Sequence, residues 1–558
     1  MQDREKSEKT GARPRISITD VLAGLSVAGL LVPEAVAYAG IAGLAPGRAL
    51  IAGVIGGLVY ALVGRSRFAV VSATSSSASI LAAALGSLAA SPGAVGGLTV
   101  DALATAMTLM VAVMFVGLGL FRLGGLAGFV SRPVLRGFAF GLAATIIIRQ
   151  LPHLVHVAVP GGPIGAVLAG VMLALPHWDW ASLALGIAAL AGLITLRRVP
   201  GLPAKLPATL IVMAAGIALG QVAQMLHMPV ALVGPTPMTM PPLALPADPA
   251  VWARIAQLAA PLTLIIFAES WGTIRGLALN GGDAISSNRE LTAIGLANGA
   301  AALAQGMPIG AGFSIGSANA AAGAQSRLSG AVASVATLLL VLFAGLLIAR
   351  IPEPVLAAVV IAALIHALNP APIARLFRLR RDHWIALTAA LGVLVLGVLN
   401  GMLAAIALSL AQLLYRWSHP AISELGRIGS SHDFVDLDRH GDALRVPGVA
   451  IFRPNAPLFF ANAEGALRSI ATAARADGAR VLILSLEESD DLDATAIDAL
   501  GEFAAMLAAR DCRLILARAH DRVRDVLAAA GMGALAAAAA FSVSDAAHAA
   551  TTMLVSDQ

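Results

Sequence analysis

From residue 20 to residue 417 the chain runs through about fourteen apolar stretches with little charge between them. Their extents are near 20–40, 44–63, 70–88, 103–121, 133–150, 182–197, 206–224, 257–279, 288–306, 313–325, 328–349, 353–368, 383–398 and 400–417. A bilayer core is crossed by about 20 apolar helical residues. Inside it every backbone N–H and C=O needs an internal partner. The pattern therefore predicts a polytopic α-helical membrane protein. The stretches at 313–325 and 353–368 are too short to cross alone and must be broken or packed within protein. Charged residues make up 12% of the chain, against about 25% in soluble proteins. That charge is sparse over the first 420 residues and of ordinary density in the last 130, which read as a soluble domain.

The basic residues orient the spans. Arg65 and Arg67, then Arg132 and Arg136, then Arg197, Arg198 and Lys205, then Arg375, Arg378, Arg380 and Arg381 fall in loops of one parity. The alternate loops hold little beyond Arg48, Arg149, Arg254 and Arg350. Positive charge favours the cytoplasmic side, so both termini are expected there, with an even number of spans. The long loops near 151–181 and 225–253 then face outward. Pro152, Pro160, Pro163 and the Pro-rich stretch 235–249 suit such connections. The expected location is the bacterial inner membrane. A net charge of +5 spread over short loops gives no reason to expect nucleic acid. The first 19 residues are polar, and the segment from Val21 is expected to act as an uncleaved signal. One cysteine, Cys512, excludes an internal disulfide and a Cys-rich metal site, and is expected in a buried strand.

Within this apolar setting a few polar residues carry the chemistry. Glu269 lies in the run Leu262-Thr-Leu-Ile-Ile-Phe-Ala-Glu269-Ser-Trp271. An ionisable residue at bilayer depth costs about 2.5–3.5 kcal/mol on insertion scales and marks a functional site by default. It could carry a coupling proton, because removal from water favours the neutral carboxylic acid. It could instead help to hold Na⁺, or form a structural ion pair with Arg275. No other cofactor and no metal site is expected. Glu34, after Pro33 in span one, is its candidate counterpart.

Each carboxylate precedes a hydroxyl-bearing break in an apolar segment. Ser75 follows Glu34 by 41 residues and Ser314 follows Glu269 by 45. The first break, Val71-Ser72-Ala73-Thr74-Ser75-Ser76-Ser77-Ala78-Ser79, holds six hydroxyls. The second runs Met307-Pro-Ile-Gly-Ala-Gly-Phe313-Ser314-Ile315. Ser and Thr cap helix N-termini, and two N-termini facing each other bind an anion without Lys or Arg. The same hydroxyls also suit plain helix packing or bonds to the i−4 carbonyl. Broken helices in both halves of a membrane protein are the mark of a transporter built as an inverted repeat.

At these residues the chain resembles the SulP/SLC26 family of anion transporters. The resemblance rests on Leu31-Val-Pro33-Glu34-Ala-Val-Ala-Tyr38, Ser131-Arg-Pro-Val-Leu-Arg-Gly137-Phe, Ala268-Glu269-Ser270, Asn288-Arg-Glu290-Leu, Gly295-Leu-Ala-Asn298 and Ser317-Ala-Asn319. Ala456-Pro-Leu-Phe-Phe-Ala-Asn462-Ala-Glu464 resembles the opening of the family's STAS domain. The resemblance implies fourteen transmembrane segments in a seven-plus-seven inverted repeat, divided into core and gate bundles, with a cytoplasmic α/β STAS domain. It also implies elevator-like movement of core past gate, a homodimer, and substrate between the half-helices of spans three and ten. Glu34, Tyr38, Ser72, Thr74, Ser75, Phe313, Ser314 and Ile315 are then candidates for substrate binding, and Glu269 for ion coupling. Members often carry Arg where this chain has Ile315, and Gly-Pro where it has Ala73-Thr74. A site with less fixed positive charge fits bicarbonate or a carboxylate at least as well as sulfate. Two acidic residues favour H⁺-coupled symport, with Na⁺ coupling or anion exchange as alternatives.

The expected boundaries are a tail over 1–19, the transporter over 20–418, a linker over 419–432 and STAS over 433–558. Strands are expected near 434–437, 449–452, 458–460, 481–484 and 514–516, alternating with helices, as in an α/β domain. Thr495, in Asp491-Leu-Asp493-Ala494-Thr495, matches the phosphoacceptor position of related anti-sigma-factor antagonists. Five nearby carboxylates oppose a phosphate there, and a simple helix cap fits as well. A cytoplasmic regulatory partner is a further expectation for this domain. Two other readings compete: a nucleobase–cation symporter of the same fold, and a signalling protein whose spans merely anchor the STAS domain. No nucleophile–base or metal-ligand constellation points to an enzyme.

Overall fold

The computed structural model describes residues 17–556, except 90–97, 126–130, 160–161, 197–207, 229, 235–242, 282, 284 and 477. The expected tail up to residue 16, the loop bearing Arg197, Arg198 and Lys205, Pro160, and most of the Pro-rich run lie outside the described residues. The chain divides into two compact units, residues 1–409 and 410–558.

In the first unit every expected span contains helix. They are α1 (Ile18–Ala42), α2 (Pro46–Val63), α3 (Ser75–Ala89), α4 (Val100–Leu120), α5 (Arg132–Val155), α6 (Ile164–Leu173), α7 (Trp180–Leu196) and α8 (Ala208–Met225). The second half continues with α9 (Pro249–Gly281), α10 (Ser287–Leu303), α11 (Phe313–Ala321), α12 (Leu328–Ala349), α13 (Glu353–Leu364), α14 (Ala371–Leu379), α15 (His383–Leu396) and α16 (Val398–Ser418). Two of these, α6 and α14, fall where the sequence reads as connections. The expected outward loop at 151–181 is thus partly helical, and the basic loop before span thirteen folds as a short helix with Leu376 buried. By length and composition seven helices are long and apolar enough to cross a membrane, and shorter apolar helices accompany them.

Local chemistry sets the ends. Ser17 accepts the Thr19 N–H at the start of α1, Asp20 stands in its first turn, and Gly43 closes it at φ 69°. Asp20 also accepts the backbone N–H groups of Gln325 and Ser326 at 2.8 and 3.0 Å, so a buried carboxylate ties α1 to the turn before α12. The two spans expected to carry a hydroxyl-bearing break are interrupted there, whereas the short span at 353–368 is a continuous, largely buried helix. Strand β1 (Val71–Ser72) precedes α3, β2 (Gly310–Ala311) precedes α11, and the strands pair antiparallel.

Packing repeats between the halves. Helix α1 packs on α12 as α9 does on α4, and α5 on α15 as α13 does on α7. Likewise α4 lies against α10, and α2 against α12. Exchanging each of spans one to seven with the span seven later maps each of these named contacts onto its counterpart, as two halves related by a two-fold axis require. The helices sort into a bundle of α1–α4 with α9–α12, and another built on α5, α7, α8, α13 and α15.

The second unit is an α/β layer. Its strands are β3 (Ile422–Ile428), β4 (Phe434–Asp436), β5 (Ala443–Leu444), β6 (Val449–Pro454), β7 (Val481–Ser485) and β8 (Arg513–Ala517). The sheet order is β4-β3-β6-β7-β8, with β5 also on β3; β6, β7 and β8 are parallel. Helices α17 (Ala463–Ala476), α18 (Ala494–Ala508), α19 (Asp521–Ala529) and α20 (Gly533–Ala537) cover one face, and α21 (Val543–Ser556) covers the other. Two expectations are corrected. The linker placed at 419–432 contains β3, which pairs with three other strands. The strand placed at 458–460 is a loop. Its N–H groups are held by Ser489 Oγ, Asn462 Oδ1 and Asp493 Oδ2, so side chains replace a sheet neighbour.

Candidate functional site

One cavity of about 910 Å³ in the first unit is lined by Glu34, Tyr38, Ser72, Thr74, Ser75, Glu269, Phe313, Ser314 and Ile315. These are all nine membrane-span residues singled out by sequence. They arrive from four elements: α1, the β1–α3 break, α9 and the β2–α11 break. Ile315 stands at the edge; it is 2% exposed and belongs to the apolar core, whereas the Phe313 ring is exposed to the cavity.

The carboxylates are wired across the halves. Thr74 Oγ1 donates to Glu269 Oε2 at 3.3 Å, and Ser314 Oγ donates to Glu34 Oε1 at 2.8 Å. Each carboxylate therefore bonds to the half-helix of the opposite repeat, not to the one that follows it in sequence. Ser76 also hydrogen-bonds Glu269. Among the described residues Glu269 makes no ion pair, and Arg275 is not its partner.

The half-helix ends differ. At α3, Thr74 Oγ1 accepts the Ser77 N–H at 3.1 Å and Ser77 Oγ accepts the Thr74 N–H at 3.0 Å. This reciprocal capping leaves the first-turn amides of Ser75 and Ser76 without a side-chain cap. At α11 the residue before the helix is Gly312, and no side chain caps the end. The first helical bond is Gly316 N–H to Gly312 C=O. Because the Thr74 and Ser314 hydroxyls donate to carboxylates, the uncapped backbone amides and neutral hydroxyls such as those of Tyr38 and Ser75 are the donors left for an anion. None of the described lining residues is Lys, Arg or His.

Sequence reasoning missed the residues that hold β2 and its surroundings. Asn298 accepts the Ile309 N–H and donates to the Ile309 carbonyl, both at 2.9 Å. Ser270 Oγ accepts the Ala311 N–H at 2.9 Å. Glu290, buried, accepts from Tyr60 Oη at 2.5 Å and from the Arg65 N–H at 2.9 Å. The signal available for each was a polar residue in a span with no visible partner, and Ser270, Glu290 and Asn298 all lie in the motifs that carry the family resemblance.

Thr495 is exposed in the first turn of α18, and the cap there is Asp493, whose side chain accepts the Ala496 N–H at 2.8 Å. Cys512 stands immediately before β8; it is buried, and burial pushes its thiol up from its ordinary value.

The sulfate permease family matches residues 18–408, and the STAS domain matches 442–545. A probable sulfate transporter of Mycobacterium tuberculosis is 33% identical over 518 residues, covering 92% of this chain and 91% of its own. The chloroplastic sulfate transporter 4.1 of Arabidopsis thaliana is 27% identical, covering 92% and 77%. Among solved structures, the murine solute carrier 26 family member A9 anion transporter, in an inward-facing state, superposes with a TM-score of 0.86 at 21% identity, covering 98% and 93%. The transmembrane domain of a cyanobacterial bicarbonate transporter gives 0.59 at 22%, covering 70% and 97%. The fold is therefore the family's: fourteen spans in an inverted repeat, followed by a STAS domain. On these matches the chain belongs to the sulfate permease (SulP/SLC26) family of anion transporters.

Proposed function

We propose that the protein carries a small anion of the bicarbonate, carboxylate or sulfate class across the bacterial inner membrane. Transport is H⁺-coupled symport by alternating access, with Glu269 as the coupling carboxylate. The observation that supports this most is the crossed wiring of Glu34 and Glu269 onto the half-helices that face the cavity. An anion held by amides and partial helix charges lies beside two acids and no base. Protonating one acid removes a repulsion, so proton and anion bind better together than apart. An exchanger has no need of such a proton carrier. The bundle of α1–α4 and α9–α12 moves past the other as an elevator, which carries the whole site because all four contributing elements belong to it. The basic loops put both termini in the cytoplasm. The working unit is a homodimer, and the STAS domain is the surface for a cytoplasmic regulatory partner.

The test is a panel of labelled bicarbonate, small carboxylates and sulfate in proteoliposomes with imposed pH and Na⁺ gradients. An inward proton gradient is expected to drive accumulation. Glu269→Gln is expected to abolish that accumulation while leaving downhill exchange. Uptake indifferent to both gradients would reject symport, and a Glu269→Gln protein that accumulates anion like wild type would remove Glu269 from the role.

A further inference from the structure

A second cavity, of about 900 Å³, opens on the same seam between the two bundles. Helix α5 runs past both. Its Leu135, Phe138 and Leu142 line the cavity that holds the site, and its Thr145, Arg149 and His153 line the second. The steps of three and four residues place all six on one stripe. At 1.5 Å per residue, Phe138 and Arg149 are about 16 Å apart along the axis. The facing helix α3 straddles the cavities in the same order: Ser72 to Ser76 at the first, then Ser79, Ala82 and Ala83 at the second. The candidate site therefore lies in the first cavity, facing apolar residues of α5.

The openings differ in charge. The first has Glu34 and Glu269 and no described basic residue. The second has Arg149, whose exposed side chain makes one hydrogen bond, to the Gly162 carbonyl at 3.2 Å, and no ion pair among the described residues. The one carboxylate among its described lining residues, Glu353, lies 3.5 Å from His153 Nδ1.

We propose that Arg149 is the anion-recognition residue of the opposite access state. The inference rests on the alternating-access reading above. A shift of the site-bearing bundle along α5 by two to three turns, about 11–16 Å, takes the half-helix ends from Phe138 and Leu142 to Thr145 and Arg149. The guanidinium then supplies from the stationary bundle the fixed positive charge that Ile315 does not supply from the moving one. A planar fork of donors suits a carboxylate, bicarbonate or sulfate. In one access state the anion meets only neutral donors and leaves easily; in the other it is drawn in by a cation. Specificity is thus read on the side of the second cavity.

The test is sided transport in right-side-out and inside-out vesicles, comparing wild type, Arg149→Gln and Arg149→Lys, with folding checked by gel filtration. Arg149→Gln is expected to raise KM about tenfold from the second cavity's side, the scale of one lost charge at several ångströms in a partly wet site. From the other side KM is expected to change less than twofold, and Arg149→Lys is expected to recover most of the loss. Equal shifts from both sides, or none from either in a protein that transports, would overturn the proposal and leave the transport reading standing. A wild type that moves no anion would overturn both.

Discussion

Thr74 and Ser314 show what a single hydroxyl does here. Each donates to a carboxylate of the opposite repeat, so neither is free to donate to an anion. On the proposed function they hold the two acids in place beside the half-helix ends. Ser314→Ala removes one hydrogen bond that holds the Glu34 carboxylate, a residue 4% exposed, beside the proposed anion site. Hydrogen bonds to charged groups contribute about 1.5–3 kcal/mol, so anion affinity is expected to fall at least tenfold. Glu34→Gln in the same chain is expected to restore part of it, because the amide carries no charge. Titrating substrate against purified single and double variants measures the coupling, and strictly additive effects would show that the two residues act independently. Sequence already named both residues; the direction of the hydrogen bonds was not legible, since partners 280 positions apart meet only in the fold.

Elements were readable to the extent that periodicity and breakers define them. The two broken spans were expected from Ser, Gly and Pro alone, and both contain a short strand followed by a half-helix. Helix α14 was missed because four arginines in and after nine residues read as a loop, and its apolar side is supplied by Leu376 against neighbours the sequence does not show. Helix contacts carry their own demands. At Gly137 on α5 an added Cβ would run into the Ala386 carbonyl oxygen and stand 2.8 Å from its carbon on α15. Gly165 on α6 has open space. Overpacking of this kind costs about 1–3 kcal/mol. Gly137→Ala is therefore expected to lower the detergent-solubilised Tm by several degrees, and Gly165→Ala to leave it within experimental error. Equal Tm values for the two would show that α5 and α15 give way at no cost.

At the scale of the molecule, the two units differ in how well their limits could be read. The limit placed at 418 by hydropathy is the end of α16, whereas the first compact unit ends within that helix, at 409. The STAS boundary did not follow composition, because β3 looks like a polar linker until β4, β5 and β6 pair with it. A fragment over 420–556 is expected to fold, with one cooperative melt. A fragment starting at 433 removes the strand that joins β4 and β5 to the sheet and exposes an edge of β6. That fragment is expected to aggregate or melt well below the longer one, since a bare edge templates further pairing. Circular dichroism melts and gel filtration of both decide this, and equal stability would put β3 outside the folded unit.

Sequence alone determined that the chain spans a membrane many times, that two spans are broken, and that two carboxylates lie where lipid disfavours charge. These follow from local quantities: hydropathy over about 20 residues, the stop signals of Gly, Pro and Ser, and the cost of burying an ion. Only the tertiary structure decided that each carboxylate bonds to the other half's half-helix, that one cavity gathers all four elements, and that Arg149 lines a second cavity along the same helix α5. The reason is physical. The two halves pack antiparallel about a shared axis, and the partners of a polar group inside them are set by that packing, across hundreds of residues.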